Sequence, residues 1–358
     1  MRVCILGSGL SALTLAKALV NENISVDITF TDKVYKINQS RTLGVSKSNF
    51  DYFNRNIINI EKISWKLKKI DIFNENLKNE KLLNFQNNND QLFSIIKNSQ
   101  LYDLLEKSLS KNKLFKKIKL KKNSKNFFKY NIIINTDYTN YLTKKYFNKK
   151  IEKIYKSWAY TTLIKHEKIL NDTAIQIFTK NGPLAFLPMS ETLTSIVYSI
   201  HNSKDIKKFN IKDLIYKYNS KYKIKKIENI ESFELKSFTL RSYYYQNILA
   251  FGDLLHRLHP LAGQGYNMTI RDIKLLLDII KEKIDLGLPL DSSINQKFEK
   301  KIRHKNYIFS NGIDFIHEFF NLDRKLNNRI LSKSVQILGK NSYLNKFFTK
   351  IADSGINY

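Results

Sequence analysis

The sequence predicts an α/β fold: a Rossmann-like domain interleaved with a β-sheet domain, followed by C-terminal helices. Three observations carry this. A strand, a glycine turn, a helix and a second strand open the chain. Period-two apolar alternation dominates the middle, and helical periodicity runs from Tyr266 onward. Third, the chain has 11 glycines and 4 prolines, and Gly7, Gly9, Gly182, Gly252, Gly263, Gly265, Pro183, Pro188 and Pro260 fall in three short motifs. A composition so poor in both residues has placed them where backbone geometry or close approach requires them.

Arg2 to Leu6 reads as a strand, Gly7-Ser-Gly-Leu-Ser-Ala12 as a turn, Leu10 to Val20 as a helix, and Val26 to Thr31 as a strand ending at Asp32. This is G-x-G-x-x-A inside a βαβ unit. Gly7 allows the turn, Gly9 admits a pyrophosphate, and Ala12 lets helix meet strand. Asp32 lies 20 residues past Ala12, the distance at which an acid reaches a ribose hydroxyl. The unit predicts a dinucleotide, without choosing between FAD and NAD.

Arg41 to Ser46 reads as a loop. Lys62 to Phe73 alternates as sheet, residues 74–90 form a polar loop or weak hairpin, and 91–98 lead into a helix from Gln100 to Leu109. Tyr130 to Asn135 is a short strand closing on Thr136-Asp137-Tyr138. Trp158 to Lys165 and Thr173 to Thr179 read as paired strands, followed by the Gly182-Pro-Leu-Ala-Phe-Leu-Pro188 element, which taken alone also reads as a β-turn with ordinary core residues, and a strand at Leu193 to Ile200. A helix at 209–220 and sheet at 227–244 lead to the most informative stretch.

Ile248 to Phe251 is a buried strand, and Gly252-Asp253 places a carboxylate at its end, where α/β sheets hold ligands. The glycine- and proline-rich segment 259–265 then feeds a helix whose free N–H groups and dipole favour negative charge. The ordered string G-D-x-x-H-x-x-H-P-x-x-G-Q-G-x-N-x-x-x-R-D over 252–272 resembles the FAD-binding segment of the single-component aromatic flavin hydroxylases. It is most similar to the aerobic ubiquinone-biosynthesis hydroxylases.

That resemblance implies the following. Asp253 binds the flavin ribityl chain, Pro260 lies against the isoalloxazine ring, and the backbone of Gly263, Gln264, Gly265, Tyr266 and Asn267 faces its pyrimidine edge. Arg41, in an R-x-L-x-x-S setting, touches the FAD phosphates. The G-P-L-A-x-L-P element at 182–188 lines one wall of an apolar substrate pocket. NADH or NADPH is the electron donor, and a flavin hydroperoxide transfers one oxygen of O2 to the ring of a prenylated phenol in ubiquinone biosynthesis. The family's G-A-D-G, followed by Ser and Arg, is worn here: Asp137 survives, while Tyr138, Tyr141 and Lys144 stand at the next three positions. Ser99 replaces a usual basic residue. The worn motif keeps a second reading open, a catalytically weakened flavoprotein serving as a structural subunit of a quinone-biosynthesis complex.

The expected organisation is a discontinuous FAD-binding domain (1–60, 95–150, 243–290), a substrate domain (61–94, 151–242) and a helical segment (291–358). In the last, F-x-x-x-I-R and then D-F-I-H-E-F-F resemble the family's tail, where such helices support membrane or partner contact.

The net charge of +29 comes mainly from lysine, in a composition that A/T-rich codons would encode. Residues 111–129 carry nine lysines and no acid. They read either as a contact for an anionic bilayer or as a solvated loop. No nucleic-acid recognition motif is present. Cys4 is a lone cysteine in an apolar strand, which fits a reducing, cytoplasmic setting and excludes a disulfide framework. Arg2, an apolar run and Ala16-Lys-Ala18 imitate a secretory leader, but Gly7-Ser-Gly9 and Lys17 argue against one. No apolar run reaches the length of a membrane span, so the expectation is a soluble protein or one peripheral on the inner membrane face. Asp253, His256 and His259 lack a further ligand cluster, so no metal is expected. No G-x-S-x-G is present for a serine hydrolase.

Overall fold

The computed structural model describes residues 2–30, 39–75, 80–86, 91–119, 130–201, 210–257 and 264–326, with single positions 336, 350, 353 and 355. The chain begins with β1 (Arg2–Leu6), α1 (Leu10–Asn21), β2 (Ser25–Phe30), β3 (Thr42–Ser46) and α2 (Lys47–Asn56). Then come β4 (Ser64–Leu67), β5 (Lys69–Asn74), β6 (Lys81–Gln86), β7 (Phe93–Lys97), α3 (Asn98–Ser110), β8 (Phe115–Lys119), β9 (Ile132–Asn135) and α4 (Tyr141–Tyr146). The middle holds β10 (Lys150–His166), β11 (Thr173–Thr179), β12 (Gly182–Pro188), β13 (Leu193–His201), α5 (Ile211–Tyr218), β14 (Ile224–Ile227) and β15 (Glu231–Leu240). Last are β16 (Tyr244–Tyr245), β17 (Ile248–Ala250), β18 (His256–Arg257), α6 (Gln264–Asp285) and α7 (Ser293–Leu326).

Three sheets result. The first runs β16-β17-β9-β1-β2-β8, parallel except at β16. Continuous apolar strands such as β1 are what a sheet buried on both faces demands. Leu13, Ala16 and Leu19 of α1, Leu101, Leu105 and Leu109 of α3, and Ile270, Ile273 and Leu277 of α6 join the strands in one core. The 3.6-residue spacing read from the sequence is that inner face. Helix α1 ends where Asn23 takes a left-handed φ of 59°. The Ile24 N–H donates to Leu19 O and the Asn23 N–H to Val20 O, the paired bonds of a Schellman stop.

A buried acid ties this sheet at the opposite end. Asp27 accepts from Arg2 Nη2 (3.1 Å) and from the Tyr130 hydroxyl (2.7 Å), joining β1, β2 and the entry to β9. Burial and the Asp27 hydrogen bond push the Tyr130 phenol up, so it remains a donor.

The second sheet runs β18-β15-β10-β13-β12-β11-β5-β6, with β14 on β10; the third is β3-β7-β4. Four expectations are corrected. Residues 62–73 divide: β4 pairs in the small sheet, and β5 crosses into the large one beside β11. Strands β10 and β11 are not partners; β10 pairs with β13, β14 and β15, and β11 with β12 and β5. Gly182–Pro188 is a strand rather than a turn, and Thr42–Ser46, expected as loop, is also a strand. In the lysine run, Phe115–Lys119 is β8, parallel to β2, and 120–129 lie outside the described residues. Within 74–90, expected as a loop or weak hairpin, Lys81–Gln86 forms β6, whose partner β5 ends where that stretch begins. The helical segment expected over 291–358 contains α7, and beyond Leu326 it lies almost wholly outside the described residues.

Gly182 shows why a glycine opens β12. Its φ is +136°, and a Cβ there would stand 2.1 Å from Ser199 O. Gly182→Ala is therefore expected to cost at least about 1–3 kcal/mol for the backbone strain alone. Urea unfolding followed by circular dichroism would measure it; an unchanged midpoint would contradict the packing described.

Candidate cofactor and substrate site

The parallel sheet ends its strands at one edge, and three turns meet there: Gly7 after β1, Thr136-Asp137 after β9, and Gly252-Asp253 after β17. Thr136 N and Oγ1 both donate to Leu6 O, at 2.9 Å. Gly7 holds φ +106°, and a Cβ would sit 2.5 Å from Thr136 Oγ1. Gly252 holds φ +64°, with its missing Cβ 2.8 Å from Ser11 Cβ, so the turn bearing Asp253 lies against the start of α1. Asp253 itself is exposed, in a 3-10 turn.

Gly9 caps α1 in extended conformation, and no atom lies within 4 Å of where its Cβ would be. The open space adjoins the first-turn N–H groups of α1, which a helix cannot satisfy internally. Ala12 is fully buried against the sheet, as small-residue packing predicts. Gly265 has the same open surround at the N-terminal turn of α6. Beside it, Gln264 is buried at 4% exposure, and among the described residues neither its amide oxygen nor its nitrogen has a hydrogen-bond partner. Two orphaned buried polar atoms cost about 1–3 kcal/mol each, a cost that a bound polar molecule would remove.

Tyr266 and Asn267 turn inward. The Tyr266 hydroxyl lies 2.7 Å from Thr14 Oγ1, locking α6 to α1. Asn267 is fully buried; its amide donates to Gly44 O (2.8 Å) and its oxygen accepts from Ser46 N (2.9 Å) and Asn49 Nδ2 (3.0 Å). These side chains hold β3 and α2 against α6, leaving their backbone for any ligand. Arg41 is exposed, its guanidinium over the Phe233 ring at 5.9 Å. Asp32, His259, Pro260 and Gly263 lie outside the described residues.

At the turn after β9, Asp137 Oδ1 accepts from Thr139 N (2.8 Å) and Thr139 Oγ1 (2.7 Å). Tyr138, at the position where the resembled motif carries glycine, is 66% exposed and keeps φ out of the left-handed region. Its side chain therefore carries no backbone strain. Ser99, in the first turn of α3, is buried.

Sequence reasoning missed the pair His256–Asp272. Their Nε2 and Oδ2 atoms stand 2.6 Å apart, with side chains 1% and 0% exposed. The pair spans from β18 to α6, bracketing the segment that should face the flavin ring. Among the described residues no three His, Cys, Asp or Glu side chains gather as a metal site. Arg271 is half-buried, its guanidinium over the Phe309 ring at 4.7 Å, and desolvation pulls that group down to about 10. Cys4 is buried in β1.

The large sheet has two faces. Tyr160, Leu184, Phe186, Ile196, Tyr198 and Ile200 pack with Ile211 and Ile215 of α5 in a closed core. Phe186 thus belongs to the interior, correcting the expectation that it lines a pocket. The opposite face carries Ala159, Thr161, Ala185, Leu187, Ser195 and Val197, by strict alternation along paired strands. It meets the segment before β3: Ser40 Oγ donates to Glu231 Oε2 (2.6 Å) and lies 2.7 Å from Thr161 Oγ1, and Thr42 Oγ1 lies 3.0 Å from Ser195 Oγ. Glu231, Ser40 and Thr161 form a polar group that the sequence did not announce.

Comparison with known proteins agrees with this geometry. Residues 152–285 match the family model described as an FAD binding domain, a span that includes Asp253 and Gln264–Asn267. The chain is 26% identical over 157 residues to the 3-demethoxyubiquinol 3-hydroxylase of Escherichia coli, covering 42% of this chain and 40% of that protein. It is 21% identical over 277 residues to the mitochondrial ubiquinone biosynthesis monooxygenase COQ6 of Schizosaccharomyces pombe, covering 63% of this chain and 57% of that protein. The matches therefore span about half the length of these relatives. Among solved structures, PqsL of Pseudomonas aeruginosa, a probable FAD-dependent monooxygenase, has a TM-score of 0.71 at 12% identity, covering 94% of this chain and 99% of its own. HpxO of Klebsiella pneumoniae, solved with FAD and uric acid, has a TM-score of 0.75 at 10% identity, covering 99% and 97%. The chain has the fold of the FAD-dependent monooxygenases.

Proposed function

We propose that this chain is an FAD-dependent monooxygenase that hydroxylates the ring of a prenylated phenol in ubiquinone biosynthesis, with NADH or NADPH as electron donor. The observation that carries the FAD reading is the open cradle at the two helix N-termini, with the unpartnered buried amide of Gln264 at its rim. The substrate class rests on the relatives named above.

In this reading the first-turn N–H groups of α1 hold the diphosphate, Asp253 accepts from ribityl hydroxyls, and Gln264 takes the hydrogen bonds it otherwise lacks. Arg41 adds positive charge at the phosphates. FAD, when bound, supplies the redox and oxygen chemistry. The protein's part is to position the ring and exclude water. Ala185, Leu187 and Val197 suit a dry wall, and the Ser40–Glu231–Thr161 group offers hydrogen bonds to a phenol at its edge. His256–Asp272 steadies the segment between them.

The test is a visible spectrum of the purified protein, anaerobic addition of NADH or NADPH, and then air with a short-chain prenylated phenol. Flavin bands that bleach, and a product with one added oxygen, are expected. Asp253→Ala should weaken flavin retention ten- to a hundredfold, since a charge-assisted hydrogen bond contributes about 1.5–3 kcal/mol. Absence of flavin after reconstitution would refute the reading.

One observation favours a second reading, a structural flavoprotein subunit: Tyr138 and the self-satisfied Asp137 stand where the resembled motif admits the donor. Bound flavin that neither donor reduces would select it. Contacts with an anionic membrane or with other quinone-biosynthesis proteins belong to the same proposal; no described helix is long and apolar enough to cross a membrane.

A further inference from the structure

A second concavity lies away from the cradle, between α7 and the corner where β15 passes into β16. Its volume is about 660 Å3, within the usual range for small-molecule sites. Neither Gly7, Gly9, Asp253 nor Gln264 lines it. Arg241, Lys300, Arg303 and His304 do, and of these Arg241 and Lys300 make no ion pair among the described residues. The chain contains only nine arginines against a large excess of lysine, and two of them are here.

One carboxylate shares the cavity. Glu299 accepts from Arg303 Nη1 at 3.3 Å and from Tyr243 N at 3.4 Å, which anchors that guanidinium to the wall. Three permanent cations against one carboxylate leave an excess of two positive charges. Two tyrosines add flat surface, Tyr244 half-buried and Tyr307 53% exposed, over the fully buried Tyr243. The backbone placing them is firm, since the Ala250 N–H donates to Tyr243 O (2.8 Å) and the Arg241 N–H to Lys149 O (3.0 Å).

We propose that this cavity binds an organic phosphate carrying a planar ring, of the nucleoside diphosphate class. The charge excess matches a phosphate dianion, and the forked guanidinium pairs with phosphate oxygens bidentately. A bare phosphate would leave most of the volume empty, and the tyrosines suit a stacked base. The inference does not rest on the flavin reading, because none of the cradle residues takes part.

The test is calorimetric titration of FAD-loaded protein with ADP and, separately, with inorganic pyrophosphate. Loading fills the cradle, so added ADP reports on the second cavity. We expect ADP to bind, and Arg241→Ala and Arg303→Ala each to weaken it about tenfold, the loss of one charge-assisted contact. Lys226→Ala, in a surface pair with Glu228 elsewhere on the large sheet, should change nothing. Pyrophosphate should bind several-fold more weakly than ADP. No ADP binding at millimolar concentration, or binding that survives the Arg241→Ala/Arg303→Ala double variant, overturns the proposal; equal affinity for pyrophosphate overturns its planar ring. Arg241 is exposed, so Arg241→Glu offers a variant that folds should Arg303→Ala fail to. If the protein takes up no FAD, the flavin reading fails by its spectrum, and the arginine dependence of ADP binding is still measured.

Discussion

Gly7→Val is expected to abolish flavin retention and to lower the melting temperature markedly. At φ +106° a β-branched residue carries about 1–3 kcal/mol of backbone strain before any contact is considered. Its Cβ would then press on Thr136 Oγ1, 2.5 Å away, whose hydroxyl is already committed to Leu6 O. The loop after β1 must move, taking the N-terminus of α1 with it. Gly9→Val makes the informative contrast. Gly9 has φ −75° and open space around the missing Cβ, so folding should survive while the added methyls occupy the volume a diphosphate needs. Thermal melts paired with flavin titration separate the two. Equal melting temperatures for both variants would contradict the geometry of the first turn.

The second large effect is expected at Asp272. Removing one partner of a buried hydrogen-bonded pair leaves the other's polar atom unsatisfied, which costs about 1–3 kcal/mol. Asp272→Ala should lose stability on that scale in urea unfolding. Asp272→Asn keeps an oxygen that can accept from His256 Nε2 and should lose less. Because the pair joins β18 to α6, both variants should also release flavin more readily than their stability loss at the working temperature explains. If Asp272→Ala unfolds at the wild-type midpoint, the pair is not the bolt its 2.6 Å contact and full burial describe.

Much of the cradle was legible because it is local. Gly7, Gly9 and Ala12 lie within six residues, and their strand–turn–helix context can be read without tertiary information. The core helices were legible for the same reason. Long-range pairing was not: nothing near β5 says that it crosses to β11, and adjacency in sequence wrongly suggested that β10 and β11 pair. Nothing in Gly182–Pro188 announced that it would run as a strand with one face on α5, so Phe186 was placed in a pocket wall instead of the core. His256 and Asp272 are 16 residues apart, and no periodicity relates them. Asp27 looked like the polar half of an alternating strand; only the arrival of Arg2 and Tyr130 makes it a buried hub.

Strand β8 has a consequence for the molecule among its own copies. It is the outermost described strand of the parallel sheet, with no second strand partner among the described residues. Lys116, Lys117 and Lys119 are exposed along it. Bringing two such edges together would set like charges face to face within a few ångströms, where solvent screens them least. Lysines on an edge strand oppose its pairing with the same strand of a second copy.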